Sequence, residues 1–201
     1  MNSNKLRFFY IISDLIAALG AWFGFFAYRK IFIEPQKFGY EIPIQSDRQL
    51  ILGLVLIPIF WLFVWFLTGN YNNVLRRSRL RELAYTFNFS LLGVLILFFI
   101  LLLDDQVNSY KDYYKTFLTL FGAHFLLTAF GRFFISTTTK RAIANRKISF
   151  NTLIIGSNQK ALDLFQELEK EKKSQGYKFI GFISVNSNEN NVLGNFLNNL
   201  G

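Results

Sequence analysis

Residues 50–67 read LILGLVLIPIFWLFVWFL, an apolar run without a single charged side chain. An α-helix needs about 20 such residues to cross about 30 Å of hydrocarbon. Three further runs have a similar length and composition: Phe8 to Tyr28, Phe87 to Leu103 and Thr116 to Ile135. Together the four runs predict four membrane-spanning helices in residues 1–135, rather than the shorter, amphipathic helices of a water-soluble bundle.

The composition also favours a membrane location. Hydrophobic residues make up 52% of the 201 residues, and 25 residues are Phe. A soluble protein could not expose that much apolar surface without aggregating. The chain has no Cys, which excludes a disulfide framework and a thiolate metal site, and we predict no metal site.

The distribution of charge predicts the orientation of the four helices. If the N-terminus is cytoplasmic, the whole formal net charge of +9 falls on the cytoplasmic flanks and the outer flanks sum to zero, as the positive-inside rule requires. The cytoplasmic flanks then hold one acid, Glu82, and ten basic residues: Lys5, Arg7, Arg76, Arg77, Arg79, Arg81, Lys140, Arg141, Arg146 and Lys147. Both termini are therefore expected in the cytoplasm.

Four arginines lie in the predicted cytoplasmic loop between the second and third spans: Arg76, Arg77, Arg79 and Arg81. Apolar residues recur beside them at helical spacing: Leu75, Leu80, Leu83 and Ala84. Positive charge alone would serve as a topology signal, but the spacing predicts an interfacial helix that faces lipid phosphate. We expect membrane lipid as the partner, either phospholipid or polyprenyl phosphate. Nucleic acid is not expected, because no aromatic RNA-binding motif or recognition-helix pattern accompanies the basic residues.

Two charged residues lie inside the predicted spans. Asp14 is about 9 Å into the first span at helical rise, where an unpaired carboxylate is costly. Arg132 lies about one turn from the cytoplasmic end of the fourth span, so its guanidinium could reach Asp14 if the two helices are neighbours. We predict an intramembrane pair; the alternative is that Arg132 extends to the interface while Asp14 binds water.

Other small or polar residues in the spans suggest helix packing. His124 lies in the fourth span with Thr128 one turn later, and because no second ligand accompanies it we expect a hydrogen bond to a neighbouring helix rather than catalysis. Gly20 and Gly24 form a G-x-x-x-G pair that permits close helix contact, either within the chain, which we favour, or in a homo-oligomer.

The composition changes after Ile135. Residues 136–150 predict a basic cytoplasmic linker, and residues 151–201 predict an α/β domain. Asn151 to Gly156 and Phe179 to Val185 have the composition of strands, and Gln159 to Lys173 that of a helix, which gives a β-α-β unit with parallel strands. Since a doubly wound domain usually needs about 100 residues or more, we expect the domain to be incomplete and the chain to be a truncated part of a larger protein.

The turn after the first predicted strand is Gly156-Ser157-Asn158. A glycine before a helix N-terminus can hold a phosphate, so these three residues are the candidate nucleotide contacts. The turn departs from the dinucleotide fingerprint, because Asn158 stands where the backbone must approach the pyrophosphate and no acid follows the second strand. We favour a purely structural turn.

The four spans and three stretches resemble a known family. The stretches are Gly69-Asn70-Tyr71 leading to Arg77-Ser78-Arg79-Leu80-Arg81-Glu82-Leu83 and Thr86-Phe87, Arg146-Lys147-Ile148-Ser149-Phe150-Asn151-Thr152-Leu153-Ile154-Ile155-Gly156, and Gly181-Phe182-Ile183. They resemble the N-terminal part of the large bacterial polyprenyl-phosphate sugar-1-phosphate transferases, which initiate exopolysaccharide or O-antigen synthesis. The resemblance implies an inner-membrane protein with a Rossmann-like, CoA-binding-like cytoplasmic domain.

In that family a C-terminal domain with an Asp-Glu pair transfers a sugar phosphate from a nucleotide sugar to undecaprenyl phosphate with magnesium. The resemblance therefore implies an anchoring and regulatory module with no catalytic residue and no cofactor in these residues, joined to a missing C-terminal catalytic domain. Membrane-anchored nucleotide-sugar dehydratases or epimerases share the layout and are the first alternative. A non-enzymatic membrane scaffold is the second.

Overall fold

Four long helices precede a small α/β unit. The computed structural model describes residues 3–35, 39–40, 48–72, 75, 78–102, 110–184 and 193–198. Helix α1 spans Ser3–Tyr28 and continues as a π-helical turn at Arg29–Ile33, α2 spans Arg48–Leu67, α3 spans Arg79–Leu97 with a π-helical turn at Phe98–Leu102, and α4 spans Tyr110–Ala144. Strand β1 (Phe150–Ile155), helix α5 (Gln159–Lys170), strand β2 (Tyr177–Ile183) and a 3₁₀ turn at Leu193–Asn195 follow.

The described residues include four helices that are long and apolar enough to cross a membrane: Asn4–Ile33, Arg48–Leu67, Arg79–Ile100 and Tyr113–Ala144. The prediction of four long apolar helices is confirmed. Their outward faces carry large apolar side chains, among them Phe66 at 76% exposure and Phe130 at 73%. Such surfaces are stable in hydrocarbon and would aggregate in water.

Helix α3 begins earlier than the sequence suggested. The Ser78 side chain caps it by accepting a hydrogen bond from the Arg81 backbone N–H at 3.3 Å. No Pro or Gly interrupts the chain between this cap and Gly93. Residues 79–86, where the sequence predicted an interfacial helix, form the first turns of α3 itself, so within the described residues that helix is continuous with the third span. Arg76 and Arg77 lie outside the described residues.

Helix α4 also extends past its predicted end, to Ala144, through most of the segment predicted as a linker. It stops in a Schellman-type cap, in which the Lys147 N–H donates to the Ala142 carbonyl and the Arg146 N–H donates to the Ile143 carbonyl, both at 2.9 Å. Arg146 has a φ of 57°, the left-handed conformation that this cap requires. Its guanidinium pairs with Glu169 at 2.9 Å.

Tryptophans fill the core of the bundle against glycines. Trp22 of α1 lies over Gly53 of α2, and Trp61 of α2 lies over Gly93 of α3; a Cβ atom on either glycine would overlap the indole ring. Trp22 Nε1 also donates a hydrogen bond to the Leu50 carbonyl at 3.3 Å. The glycines thus leave room for a buried indole between neighbouring helices.

The chain divides into two compact units, one over Asn2–Ser136 and one over Thr137–Gly201. In the second unit β1 and β2 are parallel, which confirms the β-α-β arrangement. The register shifts between Thr152 and Leu153, leaving Ile180 as an extra residue on β2. Helix α5 contributes Ala161, Leu162 and Phe165 to a small core with Ile154, Phe182 and Leu193.

Substituting Gly93→Ala should lower the free energy of unfolding by about 1–3 kcal/mol, because the new methyl group overlaps the buried Trp61 ring. The measurement is SDS-induced unfolding of the purified protein in mixed micelles, followed by far-UV circular dichroism. Gly122→Ala on α4 is the matched control, since a Cβ there meets no atom within 4 Å. The control should be neutral or stabilising by up to about 1 kcal/mol. Equal destabilisation by both changes would contradict the Trp61–Gly93 contact.

Candidate functional site

Asp14 and Arg132, the two charged residues inside the spans predicted from the sequence, lie in direct contact. Arg132 of α4 donates from Nε to Asp14 Oδ1 at 2.9 Å and from Nη2 to Asp14 Oδ2 at 2.6 Å. The two side chains are 2% and 0% exposed. A bidentate fork of this kind fixes direction as well as distance, and each charge compensates one that would be very costly to bury alone.

Tyr71, just after α2, adds a third group to this pair. Its hydroxyl donates to Asp14 Oδ2 at 3.0 Å. Burial, and then the adjacent carboxylate, raise the pKa of the Tyr71 phenol well above its usual range, so the hydroxyl remains protonated and able to donate. Asp14 therefore accepts hydrogen bonds on both of its carboxylate oxygens.

The other side of the Arg132 guanidinium contacts α2 and α3. Its Nη1 donates to Thr86 Oγ1 at 3.4 Å, and that hydroxyl donates in turn to the Glu82 carbonyl at 2.8 Å. The guanidinium carbon lies 4.0 Å from the centroid of the Trp65 ring, within the range of a cation–π contact. We call Asp14, Tyr71, Trp65, Thr86 and Arg132 the ion-pair cluster; its members come from or directly follow all four long helices.

A second polar contact lies further along α4. His124 Nδ1 is 3.2 Å from Ser90 Oγ of α3, and Nε2 is 3.4 Å from Thr128 Oγ1. The imidazole stacks on Trp61, with ring centroids 3.5 Å apart and an interplanar angle of 12°. His124 thus has a hydrogen-bond partner on a neighbouring helix. Within the described residues no group of three or more His, Cys, Asp or Glu could hold a metal ion.

The residues that contact Arg132 and His124 belong to a regular pattern of buried polar residues on α3 and α4, which the sequence analysis did not identify. Buried polar residues recur at every fourth position of α4: His124, Thr128, Arg132 and Ser136. A matching set recurs on α3: Glu82, Thr86 and Ser90. Because residues four apart share a helix face, the two sets form facing polar stripes. The spacing was visible in the sequence, whereas nothing in the sequence indicated that Tyr71 and Trp65 contact the ion pair.

A cleft of about 310 Å³ opens between α3 and α4 beside the ion-pair cluster. We call it the α3–α4 cleft; it is lined by Arg79, Leu80, Glu82, Leu83, Thr86, Ala129, Arg132, Phe133 and Ser136. Leu80 is 81% exposed and Phe133 is 58% exposed, so the cleft opens to the surroundings of the bundle. Of the four arginines expected to meet lipid phosphate, Arg79 lines this cleft and Arg81 is exposed nearby on α3.

The turn between β1 and α5 uses its polar groups internally. Gly156 has a φ of 117°, which only glycine adopts easily. Asn158 caps α5 by accepting a hydrogen bond from the Ala161 N–H at 3.1 Å. The Ser157 hydroxyl is fully buried, 3.3 Å from that of Ser184. These contacts account for the three residues as a strand-to-helix turn and carry no argument for a bound nucleotide.

No family model matches this chain, and no curated protein matches it in sequence. Function is therefore inferred from the residues and their geometry. The groups of the ion-pair cluster bind one another, which suits helix association better than catalysis. The α3–α4 cleft is open and combines apolar walls with a cation.

Substituting Asp14→Ala should lower the free energy of unfolding by about 3–5 kcal/mol, because it leaves the Arg132 charge buried without a partner. The double variant Asp14→Leu with Arg132→Met should recover most of that loss, since it removes both charges. SDS titration in mixed micelles measures the free energy of unfolding of both variants. A double variant as unstable as the single one would contradict the view that the loss comes from an uncompensated charge.

Substituting Tyr71→Phe should cost about 1.5–3 kcal/mol, the usual value of a hydrogen bond to a charged group. Tyr85→Phe is the matched control, because Tyr85 on α3 is 47% exposed. The same titration should show little change for the control. No difference between the two variants would contradict the role of Tyr71 in the cluster.

Proposed function

We propose that this chain is the membrane-anchoring and regulatory module of a polyprenyl-phosphate sugar-1-phosphate transferase of the bacterial inner membrane. The observation that carries the proposal is the order of the elements: four apolar helices, tied together by a buried ion pair, precede a parallel β-α-β unit. The helices would hold the α/β unit at the membrane surface. Transfer of the sugar phosphate, with magnesium, would take place in a separate C-terminal catalytic domain.

Residues that carry the family resemblance have specific contacts in the bundle, which supports the proposal. Tyr71, from the Gly69-Asn70-Tyr71 stretch, donates its hydroxyl to Asp14. Gly69 itself has a φ of 61°, so the turn after α2 favours glycine at this position. Ser78, in the arginine-rich stretch, caps α3. These parts of the resemblance therefore have physical roles in the anchor.

We further propose that the β-α-β unit begins a Rossmann-like domain. One face of the two strands packs on α5, whereas Leu153 and Ile155 on the opposite face are 41% and 75% exposed. Parallel sheets are normally covered on both faces. The exposed side chains therefore support additional elements packing on this face in the whole protein.

Cysteine labelling tests the proposed orientation. Because the chain has no Cys, no native thiol reacts with the label, and any labelling comes from the introduced cysteine. We expect Asn72→Cys and Ser149→Cys to react with a membrane-impermeant maleimide only in inside-out vesicles, and Lys115→Cys to react only in right-side-out cells, since uncompensated positive charge stays in the cytoplasm. All three native positions are exposed. Labelling of Asn72→Cys and Ser149→Cys from opposite sides would contradict the arrangement.

The coding sequence beyond the Gly201 codon tests the family. We expect it to continue into a membrane-associated domain with an Asp-Glu pair, and the 201-residue polypeptide alone to show no sugar-phosphate transfer in a radiolabelled nucleotide-sugar assay. A downstream Tyr-x-x-x-Lys dehydrogenase domain would instead identify a dehydratase or epimerase. A stop codon with a stable membrane product would favour a scaffold.

A further inference from the structure

The α3–α4 cleft has walls that suit a hydrocarbon chain. Leu80 and Leu83 of α3 line it together with Ala129 and Phe133 of α4. These side chains lie in helices that are apolar enough to cross a membrane, so the space between them opens toward lipid. Its volume of about 310 Å³ holds part of one hydrocarbon chain. A protein helix, with a diameter of about 10–12 Å, would need far more room.

Arg79, the first residue of α3, places a positive charge beside the apolar walls of the cleft. Arg79 is exposed, and its guanidinium carbon lies 5.6 Å from the centroid of the Phe133 ring. Among the residues that the structure describes, Arg79 forms no ion pair. Arg132, the other cation of the cleft, is already bound by Asp14. Arg79 is therefore the group that can meet an anion at the end of the apolar walls.

We infer that the α3–α4 cleft binds one anionic glycerophospholipid, with its phosphate on Arg79 and one acyl chain against Leu83 and Phe133. The inference goes beyond the proposed function and requires only that the helices lie in a membrane. A leaflet that contains anionic phospholipid presents this ligand continuously to a lateral cleft. The Arg79 guanidinium, with its planar set of donors, matches phosphate geometry.

The charge of the cleft favours a phosphodiester over a phosphate monoester. Glu82 also lines the cleft and is buried. The Arg79 guanidinium, near a buried carboxyl group, suits the one negative charge of a phosphodiester. A monoester carries about −1.5 to −2 at pH 7 and would repel Glu82 more strongly. Polyprenyl phosphate, a monoester, is therefore the weaker candidate here.

Native mass spectrometry of the delipidated 201-residue chain in detergent tests the inference. The probes are phosphatidylglycerol, phosphatidylcholine, undecaprenyl phosphate and inorganic phosphate, each titrated separately and then in competition. We expect one phosphatidylglycerol to bind about fivefold more tightly than phosphatidylcholine, the effect of about one cation near an anionic headgroup. Arg79→Gln should remove this preference, and Arg79→Lys should keep it.

Two further variants separate the site from general charge and from misfolding. Arg48→Gln, at the exposed start of α2, is the matched control and should keep the fivefold preference. Ala129→Phe should fill the cleft and weaken both phospholipids. Far-UV circular dichroism checks that each variant is folded, and the Arg79→Gln and Arg79→Lys pair decides the result if Ala129→Phe is not.

Three results would overturn the inference. One is a phosphatidylglycerol preference that survives Arg79→Gln. Another is undecaprenyl phosphate binding more tightly than phosphatidylglycerol in an Arg79-dependent manner, which would assign the cleft to the monoester. The third is displacement of phosphatidylglycerol by inorganic phosphate, which would show a headgroup site without a role for the apolar walls. None of these results depends on whether the protein belongs to a sugar transferase.

Discussion

The buried pair between Asp14 and Arg132 is the constraint on which the rest of the bundle depends. Helices in a membrane gain little from hydrophobic attraction, because lipid tails are as apolar as leucine, so packing and polar contacts decide which faces meet. A carboxylate and a guanidinium in an apolar environment are each too costly to leave alone. Once they meet, Tyr71, Trp65 and Thr86 complete their contacts and bring all four helices together.

The pair also sets the register of α3 against α4. Thr86 contacts Arg132, and Ser90, one turn later on α3, contacts His124, two turns earlier on α4. The two helices therefore run in opposite directions with their polar stripes facing each other. Trp61 lies against both His124 and Gly93, so the aromatic core and the polar stripes support the same register. The α3–α4 cleft lies beside these contacts, where Leu80, Leu83 and Phe133 face outward.

Much of this arrangement was readable in the sequence. Run length predicted the four apolar helices, and residue periodicity predicted the β-α-β order. The cost of burying a charge predicted that Asp14 and Arg132 pair. Each of these signals can be read from short segments of the chain. Other features were not readable. The start of α3 depends on whether the chain bends at the membrane surface. The arginine-rich stretch has the composition of a helix whether it bends there or continues into α3. For the Gly156-Ser157-Asn158 turn the sequence favoured a structural role, and only the structure showed that Asn158 caps α5 and that the Ser157 hydroxyl lies beside that of Ser184.

By itself, the sequence determined that this chain has four long apolar helices followed by a parallel α/β unit, and that two charges inside the helices need partners. These results follow from hydrophobic length and residue spacing, which do not require knowledge of the fold. Only the tertiary structure decided which other groups meet this pair, because Tyr71 and Trp65 reach it from a part of the chain distant in sequence. It alone also showed that Arg79 stands at the end of an open apolar cleft, since a cleft exists only between packed helices.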